Sequence, residues 1–482
     1  MKKNNSITNS RALAGRPGKR RGIILPVVLV IFMLLAMLAI GFDFSTRAEI
    51  NALTAQAEMD QARNCAASGL EKTALYLRQS FDDSSVWYDN ATLFCDQPVE
   101  QDEQQKVDKT TWRYSIVGYN LDDDENVRFG ATDEASKVNI NTASEDQLEK
   151  LPGITSDIAA AIMDWREEGT TARTGGAKDE YYKSLNQPYR CKQAPFDTIE
   201  ELLLVKGMTG AILFGEDMNR NGILDPNEDD GKISLPIDNG DGVLDRGLYP
   251  YITVYSREPD VTDSDPYQPR INIAEWPVTV LQTMLPKYID QDIVDFIVKA
   301  RNAKVKFGSS PALLLGMKIT SDDSTVTSPV TEEDLPAIMD YLTTGYHLNS
   351  DGFVYGRINI NTAPKTVLQT IGWLTDTEIE AILSTRSRLD SATKKNIAWL
   401  VTQEVLTTEK FKEVACLFTA RSYQFMMDAL GYRSADSTQA RIQALMELRL
   451  PRVQYIYWRD LSSFGRAYNI DEFGEKKLVV QQ

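Results

Sequence analysis

Ile23 to Phe42 is a run of 20 residues without a charge. As a helix rising about 1.5 Å per residue it covers about 30 Å, the hydrocarbon thickness of a bilayer. Arg16, Lys19, Arg20 and Arg21 precede it, and the first acid is Asp43. Basic flanks stay on the cytoplasmic side, so the run predicts a single-pass anchor with the bulk of the chain across the membrane. A cleaved secretory signal would have a shorter apolar core and a small-x-small site, whereas Phe42, Asp43 and Phe44 follow here.

The helix is expected to continue past the bilayer. Asp43 to Gln79 holds no proline and one glycine, Gly69, and is rich in Ala, Glu, Gln, Leu and Arg. Ile50, Leu53, Ala57, Leu70, Ala74 and Leu77 recur at helical spacings, with a gap across Cys65 to Ala67. A helix from 23 to 79 would be about 85 Å long.

Lys19-Arg20-Arg21-Gly22 stands directly before Ile23-Ile24-Leu25-Pro26-Val27. This resembles the leader of type IV prepilins and pseudopilins, which a prepilin peptidase cuts after the glycine. The resemblance implies cleavage between Gly22 and Ile23, an inner-membrane helix and a periplasmic body. The cut also suits Pro26: inside an uncut helix it would lose a hydrogen bond and clash, whereas in a first turn its missing N–H has no consequence. Pseudopilins usually carry Glu five residues after the cut, where this chain has Val27. That departure resembles type II secretion protein K (general secretion pathway protein K), a minor pseudopilin of the pseudopilus tip, which has no subunit above it whose amino terminus needs a partner.

A phrase recurs in the body. Lys137-Val138-Asn139-Ile140-Asn141-Thr142-Ala143 returns as Arg357-Ile358-Asn359-Ile360-Asn361-Thr362-Ala363, with a weaker copy at Arg270-Ile271-Asn272-Ile273-Ala274. Each reads as a short extended piece leading into a helix, with Thr142 or Thr362 as N-cap and Pro364 just inside the start. Pro152-Gly153 and Lys206-Gly207 read as turns of helix-hairpin-helix units, and Pro311 to Met317 as a third. Such units often hold phosphates, but Glu145, Asp146, Glu149, Asp157, Asp164, Glu167 and Glu168 surround the first. Lys plus Arg total 52 and Asp plus Glu 69; without the seven basic residues of the leader the body carries 45 against 69, a net −24. Nucleic acid is therefore excluded as a general partner. These phrases are similar to those of the large α-helical domain inserted in secretion protein K.

Asp217-Met218-Asn219-Arg220-Asn221-Gly222-Ile223-Leu224-Asp225-Pro226-Asn227-Glu228 matches a twelve-residue calcium loop. Asp217, Asn219, Asn221 and Asp225 supply oxygens at positions 1, 3, 5 and 9, Ile223 its carbonyl, and Glu228 a bidentate carboxylate around the turn at Gly222. A degenerate second loop places Asn239, Asp241 and Asp245 on ligand positions but Ile237 at position 1, so it would need Asp229 or Asp230 to complete a site. The resemblance implies a structural role for Ca²⁺.

Cys65, Cys95, Cys191 and Cys416 contain no CxxC, and four cysteines allow three pairings, free thiols remaining equally open. No nucleophile elbow, Walker loop, Rossmann fingerprint or metalloprotease helix occurs, and the lone His347 excludes a multi-histidine metal centre, so a binding part is expected rather than an enzyme.

The expected fold is α+β: a pilin-like long N-terminal helix on a small antiparallel sheet, with a large inserted α-helical domain containing helix-hairpin-helix-like repeats. Its parts are the leader (1–22), the transmembrane (23–42) and periplasmic (43–80) helix, the first part of the sheet domain (81–135), the insertion (136–415) and the closing strands (416–482). The first strand is expected near Trp112 to Tyr119, and the closing ones at Tyr423 to Met427 and Val453 to Trp458. The expected function is that of a minor pseudopilin at the tip of a type II secretion pseudopilus, helping to initiate it. Its partners would be other minor pseudopilins through the N-terminal helix, the prepilin peptidase, the inner membrane, and secreted cargo or the outer-membrane channel. The rivals are a minor type IV pilin, a membrane-anchored DNA-uptake receptor with helix-hairpin-helix units, and a calcium-dependent adhesin.

Overall fold

The computed structural model describes residues 24–99, 108–121, 126–321, 324–471 and 473. The chain divides into Met1–Asp60 and Gln61–Gln482. One helix, α1 (Ile24–Ser80), has residues in both. Within the first unit its apolar side chains are exposed, from Ile24 at 78% to Phe42 at 74%. No part of its most apolar 18-residue window is buried, and that window has a mean hydropathy of 3.0. A sequence this apolar with nothing packed on it is suited to lipid.

Among the described residues the second unit is built on a seven-stranded antiparallel sheet. Its central path runs from Gln97–Pro98 through β1 (Arg113–Gly118), β2 (Gln424–Arg433) and β3 (Thr438–Arg449) to β4 (Arg452–Asp460). Arg128–Phe129 pairs with β1 and Thr132–Asp133 with β2. β1, β2 and β4 begin within one residue of where the sequence places them, but the closing strands run longer, and β3 was not among those expected. Alternation alone undercounts them, because β2 and β3 are buried on both faces and so lack a polar rhythm.

The part of α1 beyond Asp60 buries Ala62, Cys65, Ala66, Gly69, Leu70, Thr73, Ala74 and Leu77. These steps of three and one form a single stripe. Ile50 and Leu53, which open the helical spacing read from the sequence, are 55% and 61% exposed. The expected gap across Cys65 to Ala67 is instead the closest approach to the sheet. A Cβ on Gly431 of β2 would lie 2.0 Å from the Ala62 carbonyl oxygen and 2.4 Å from the Ala66 nitrogen. One on Gly69 would lie 2.5 Å from the Tyr114 ring. Small residues here are what let two backbones meet. Around this seam Trp87, Phe94, Ile116, Phe425 and Tyr432 fill the core, and Trp87 meets Phe425 edge-on at 4.9 Å.

Between Asp133 and Phe418 the chain makes the same short structure three times. Val138–Asn139 pairs in parallel with Ile252–Thr253, Ile271–Asn272 with Leu342–Thr343, and Ile358–Asn359 with Phe418–Thr419. The cause is local. The Asn Oδ1 accepts the amide two residues on, from Asn141, Ala274 and Asn361, each at 3.0 Å. That turns the chain, and Ile140, Ile273 and Ile360 then donate to Thr253, Thr343 and Thr419. A helix pair follows each phrase: α2 (Glu145–Glu149) and α3 (Ser156–Arg166), α4 (Val278–Met284) and α5 (Gln291–Asn302), α6 (Lys365–Gln369) and α7 (Asp376–Arg386). In the last turn of each second helix an arginine reaches back to the phrase. Arg166 donates to the Ala143 carbonyl at 2.6 Å and also to that of Ile140, Arg301 to Ile273 at 2.8 Å, and Arg386 to Ile360 and Ala363 at 3.1 and 2.7 Å.

Three details differ from the expected pattern. Ser144, not Thr142, caps α2, with Gln147 completing a capping box. Thr142 instead donates to Asn139, and Thr362 to the buried Asp133. Pro364 is itself the N-cap residue of α6 rather than its first helical residue. The Pro311 to Met317 segment is one 3-10 turn, Pro311–Leu314, followed by a strand pair, Lys318–Ser321 with Ser324–Thr327, so among the described residues no second helix completes that hairpin. Gly316 does take a left-handed φ of 72°, as do Gly153 and Gly207 at 72° and 83°, so the turn is shared and only its continuation differs. The β-branched Ile319, Thr320, Thr325, Val326 and Thr327 favour strand there.

Candidate functional site

The twelve-residue loop follows a short helix, Gly210–Phe214, and ends in a 3-10 turn, Pro226–Glu228. Its side-chain oxygens turn the backbone inward. Asp217 accepts the amides of Asn221 and Gly222 at 2.9 and 3.0 Å, Asn219 that of Asn221 at 2.9 Å, and Asn221 that of Ile223 at 2.7 Å. Glu228 returns across the loop, accepting from Met218 at 3.1 Å and Asp225 at 3.2 Å. Asp225 accepts from the amide groups of Asn219 and Asn221 at 2.7 and 2.9 Å. Gly222 takes φ 75°, and a Cβ there would strike the Tyr119 ring at 2.5 Å. The Ile223 side chain packs toward the sheet core, which leaves its carbonyl as the polar group it can offer.

The sequence-derived set Asp217, Asn219, Asn221, Ile223, Asp225 and Glu228 is thus drawn into one hydrogen-bonded loop. Asp217, Asn221 and Glu228 are 3%, 2% and 2% exposed. Burial pushes the Asp217 carboxyl up to about 6. Burial, with the charges of Asp217 and Asp225, pushes Glu228 up to about 7. Carboxylates that hold protons this far up are carboxylates short of a countercharge. A hard divalent cation with six to eight oxygen ligands is the group such a donor set suits, and it would relieve both.

The second loop has the same local turns. Asn239 accepts from Asp241, Asp241 from Val243 and Asp245 from Gly247, at 2.8, 2.9 and 2.9 Å. Asp229 joins it by accepting from Gly242 at 2.9 Å, whereas Asp230 is engaged with Ser234. Ile237, at the first position, is 65% exposed. The sequence reading missed Glu216, which lies between the loops and accepts the amides of Asn239 and Asp245, each at 3.3 Å. Burial and the neighbouring Asp245 and Asp238 raise its carboxyl. Its position next to Asp217 was the available signal.

At the other end of the chain, Pro26 lies in the first turn of the described helix and Val27 is 49% exposed. Gly22 and Ile23 lie outside the described residues. Cys191 is buried with its thiol directed at the Asp164 carbonyl, 3.4 Å away, and Cys416 is half-buried.

An apolar N-terminal helix whose later turns pack on an antiparallel sheet is the arrangement expected of a pseudopilin. Residues 123–214 match the family model described as Type II secretion system (T2SS), protein K. Over those 92 of the 482 residues the chain is similar to protein K of type II secretion, a likeness that supports a minor-pseudopilin reading. No curated protein matches it. A chain in the crystal structure of the GspK-GspI-GspJ complex from the enterotoxigenic Escherichia coli type 2 secretion system is similar at 10% identity, over 86% of this chain and 98% of that one, with a TM-score of 0.38.

Proposed function

We propose that the chain is the tip subunit of the pseudopilus, and that it helps to initiate assembly and so the export of folded proteins across the outer membrane. The prepilin peptidase would cut between Gly22 and Ile23, leaving α1 as a single pass of the inner membrane with its remaining turns in the periplasm. The observation that carries this reading is Val27. A subunit inside a filament needs a carboxylate near that position to meet a neighbour's amino terminus, and a subunit with nothing above it does not. An apolar residue there also avoids a buried unpaired charge in lipid. The exposed face of α1 would pack sideways on the helices of other minor pseudopilins, among them the proteins GspI and GspJ named with GspK in the solved complex.

Residues 136–415 form, on this reading, an inserted helical domain of three phrase-and-helix-pair repeats that caps the tip and meets cargo or the outer-membrane channel. Asp217, Asn219, Asn221, Ile223, Asp225 and Glu228 would hold one Ca²⁺. Asn239, Asp241 and Asp245, with Asp229 and Glu216, would form a second, weaker site. When bound, the ion supplies positive charge to crowded carboxylates and fixes a long loop; its role is structural. The test is export of a folded cargo in cells lacking their own copy of the protein. The full chain restores export and a variant without residues 23–42 does not; restoration by that variant overturns the reading.

A further inference from the structure

The calcium loop does not stand by itself. Besides the Tyr119 hydroxyl, which donates to the Arg220 carbonyl at 3.3 Å, its backbone is tied to the sheet by a side chain more than 200 positions away, Arg441 of β3, which the sequence gives no reason to connect with it. Arg441 is 2% exposed. Its Nη1 donates to the Asn219 carbonyl at 2.7 Å and its Nη2 to the Arg220 carbonyl at 2.5 Å. These are the third and fourth residues of the loop, and Arg220 holds a left-handed φ of 58°. The same guanidinium is clamped by Asp428 of β2, through Nε at 2.8 Å and Nη2 at 2.5 Å. Asp428 is a diagonal neighbour across the strand pair, since Arg441 sits opposite Leu430 and Asp428 opposite Gln443. A fixed planar fork can satisfy a carboxylate and two carbonyls at once, which an ammonium cannot.

We propose that Arg441 is a positioning residue for the cation loop, and that through it a bound ion and the β2–β3 pair stabilise one another. This rests on the calcium reading above and goes beyond it. Asn219 offers its side chain to the ion while its carbonyl is held by Arg441. Whatever orders one end of that residue orders the other. Asp428 is needed because it neutralises a guanidinium that would otherwise place an unbalanced positive charge beside the cation. Coupling of this kind is reciprocal: if the fork raises calcium affinity, calcium must stabilise the fork and its strands by the same factor.

The experiment uses the purified full chain in detergent micelles with Ca²⁺ as the probe. Calcium affinity is measured by chelator competition for the parent, Arg441→Lys, Asp428→Asn and the control Arg386→Lys, which does not touch the loop. Both test variants should bind about tenfold more weakly or worse, within the usual range of coupling between sites, and the control like the parent. In the parent, calcium should slow amide exchange in Gln424–Arg433 and Thr438–Arg449; in Arg441→Lys that protection should be lost. Parental affinity in either folded test variant overturns the proposal alone, as does parental exchange that calcium leaves unchanged. A parent that takes up no calcium overturns the cation reading and the proposal with it.

Discussion

Gly431→Ala tests the seam between α1 and the sheet. The added methyl would lie 2.0 Å from the Ala62 carbonyl oxygen, 2.4 Å from the Ala66 nitrogen and 3.0 Å from the Cys65 Cβ. The first two partners are helix backbone, which cannot rotate away as a side chain can. Relief requires α1 to rise from β2 by more than 1 Å, loosening Ala62, Ala66, Leu70 and Leu77, all of which are fully buried. Overpacking of this kind costs about 1–3 kcal/mol, and loss of contact along the stripe pushes toward the upper end. Alanine gains back about 0.5–1 kcal/mol over glycine in strand backbone entropy. The net expectation is a loss of about 2 kcal/mol. Guanidinium unfolding of the full chain in detergent, followed by tryptophan fluorescence, reads it directly. Gly210→Ala, where nothing lies within 4 Å of the new methyl, is the control and should be near neutral. A Gly431→Ala variant within 0.5 kcal/mol of the parent, on the scale of ordinary surface changes, would refute the claim that small residues set the helix–sheet distance.

The loop carboxylates predict a pH signature. Asp217 and Glu228 titrate near 6 and 7 in the cation-free fold, above their ordinary values of 3.8 and 4.5. The native state therefore holds more protons than the unfolded chain, and these groups contribute stability that is present below about pH 4 and lost as pH rises to about 7. At roughly 1.4 kcal/mol per pH unit, the pair should account for a decline on the order of 6 kcal/mol. In EGTA, the parent should lose stability relative to the doubly substituted Asp217→Asn, Glu228→Gln chain between pH 4 and 7; equal pH slopes would contradict the buried-carboxylate account. Saturating calcium should abolish the parent's decline. Arg386→Met removes two hydrogen bonds to the carbonyls of Ile360 and Ala363, which should cost about 2–3 kcal/mol in the same unfolding assay, and an unchanged midpoint would show that the third repeat does not depend on its arginine.

The long helix, the outer strands and the twelve-residue loop were legible because each writes its pattern in consecutive residues. The loop is the clearest case: an oxygen at nearly every odd position from Asp217 predicts a chain turned on itself, and the backbone turns follow from those same side chains. The repeats were legible in Val138-Asn139 and Ile358-Asn359, where one asparagine both turns the chain and starts the strand pair. Their partners were not, because Ile252, Leu342 and Phe418 lie 60 to 114 residues downstream and carry no phrase of their own. The arginines could have been found. Arg166 and Arg386 each stand 26 residues after Ile140 and Ile360, a coincidence of spacing that charge alone conceals. The stripe at Ala62, Cys65, Ala66 and Gly69 was misread because hydrophobicity measures burial by size, and here the burial is by smallness. Glu216 and Arg441 were invisible for opposite reasons: one was merely another acid in an acidic stretch, and the other reaches the loop only through tertiary structure.

The account as a whole requires α1 to begin where a peptidase leaves it. Intact-mass and N-terminal analysis of the chain produced with and without its prepilin peptidase is the most direct measurement. With the enzyme, the mature protein should start at Ile23, having lost residues 1–22; without it, Met1 or Lys2 should remain at the start. A chain that keeps its basic leader in the presence of active peptidase would contradict the pseudopilin assignment.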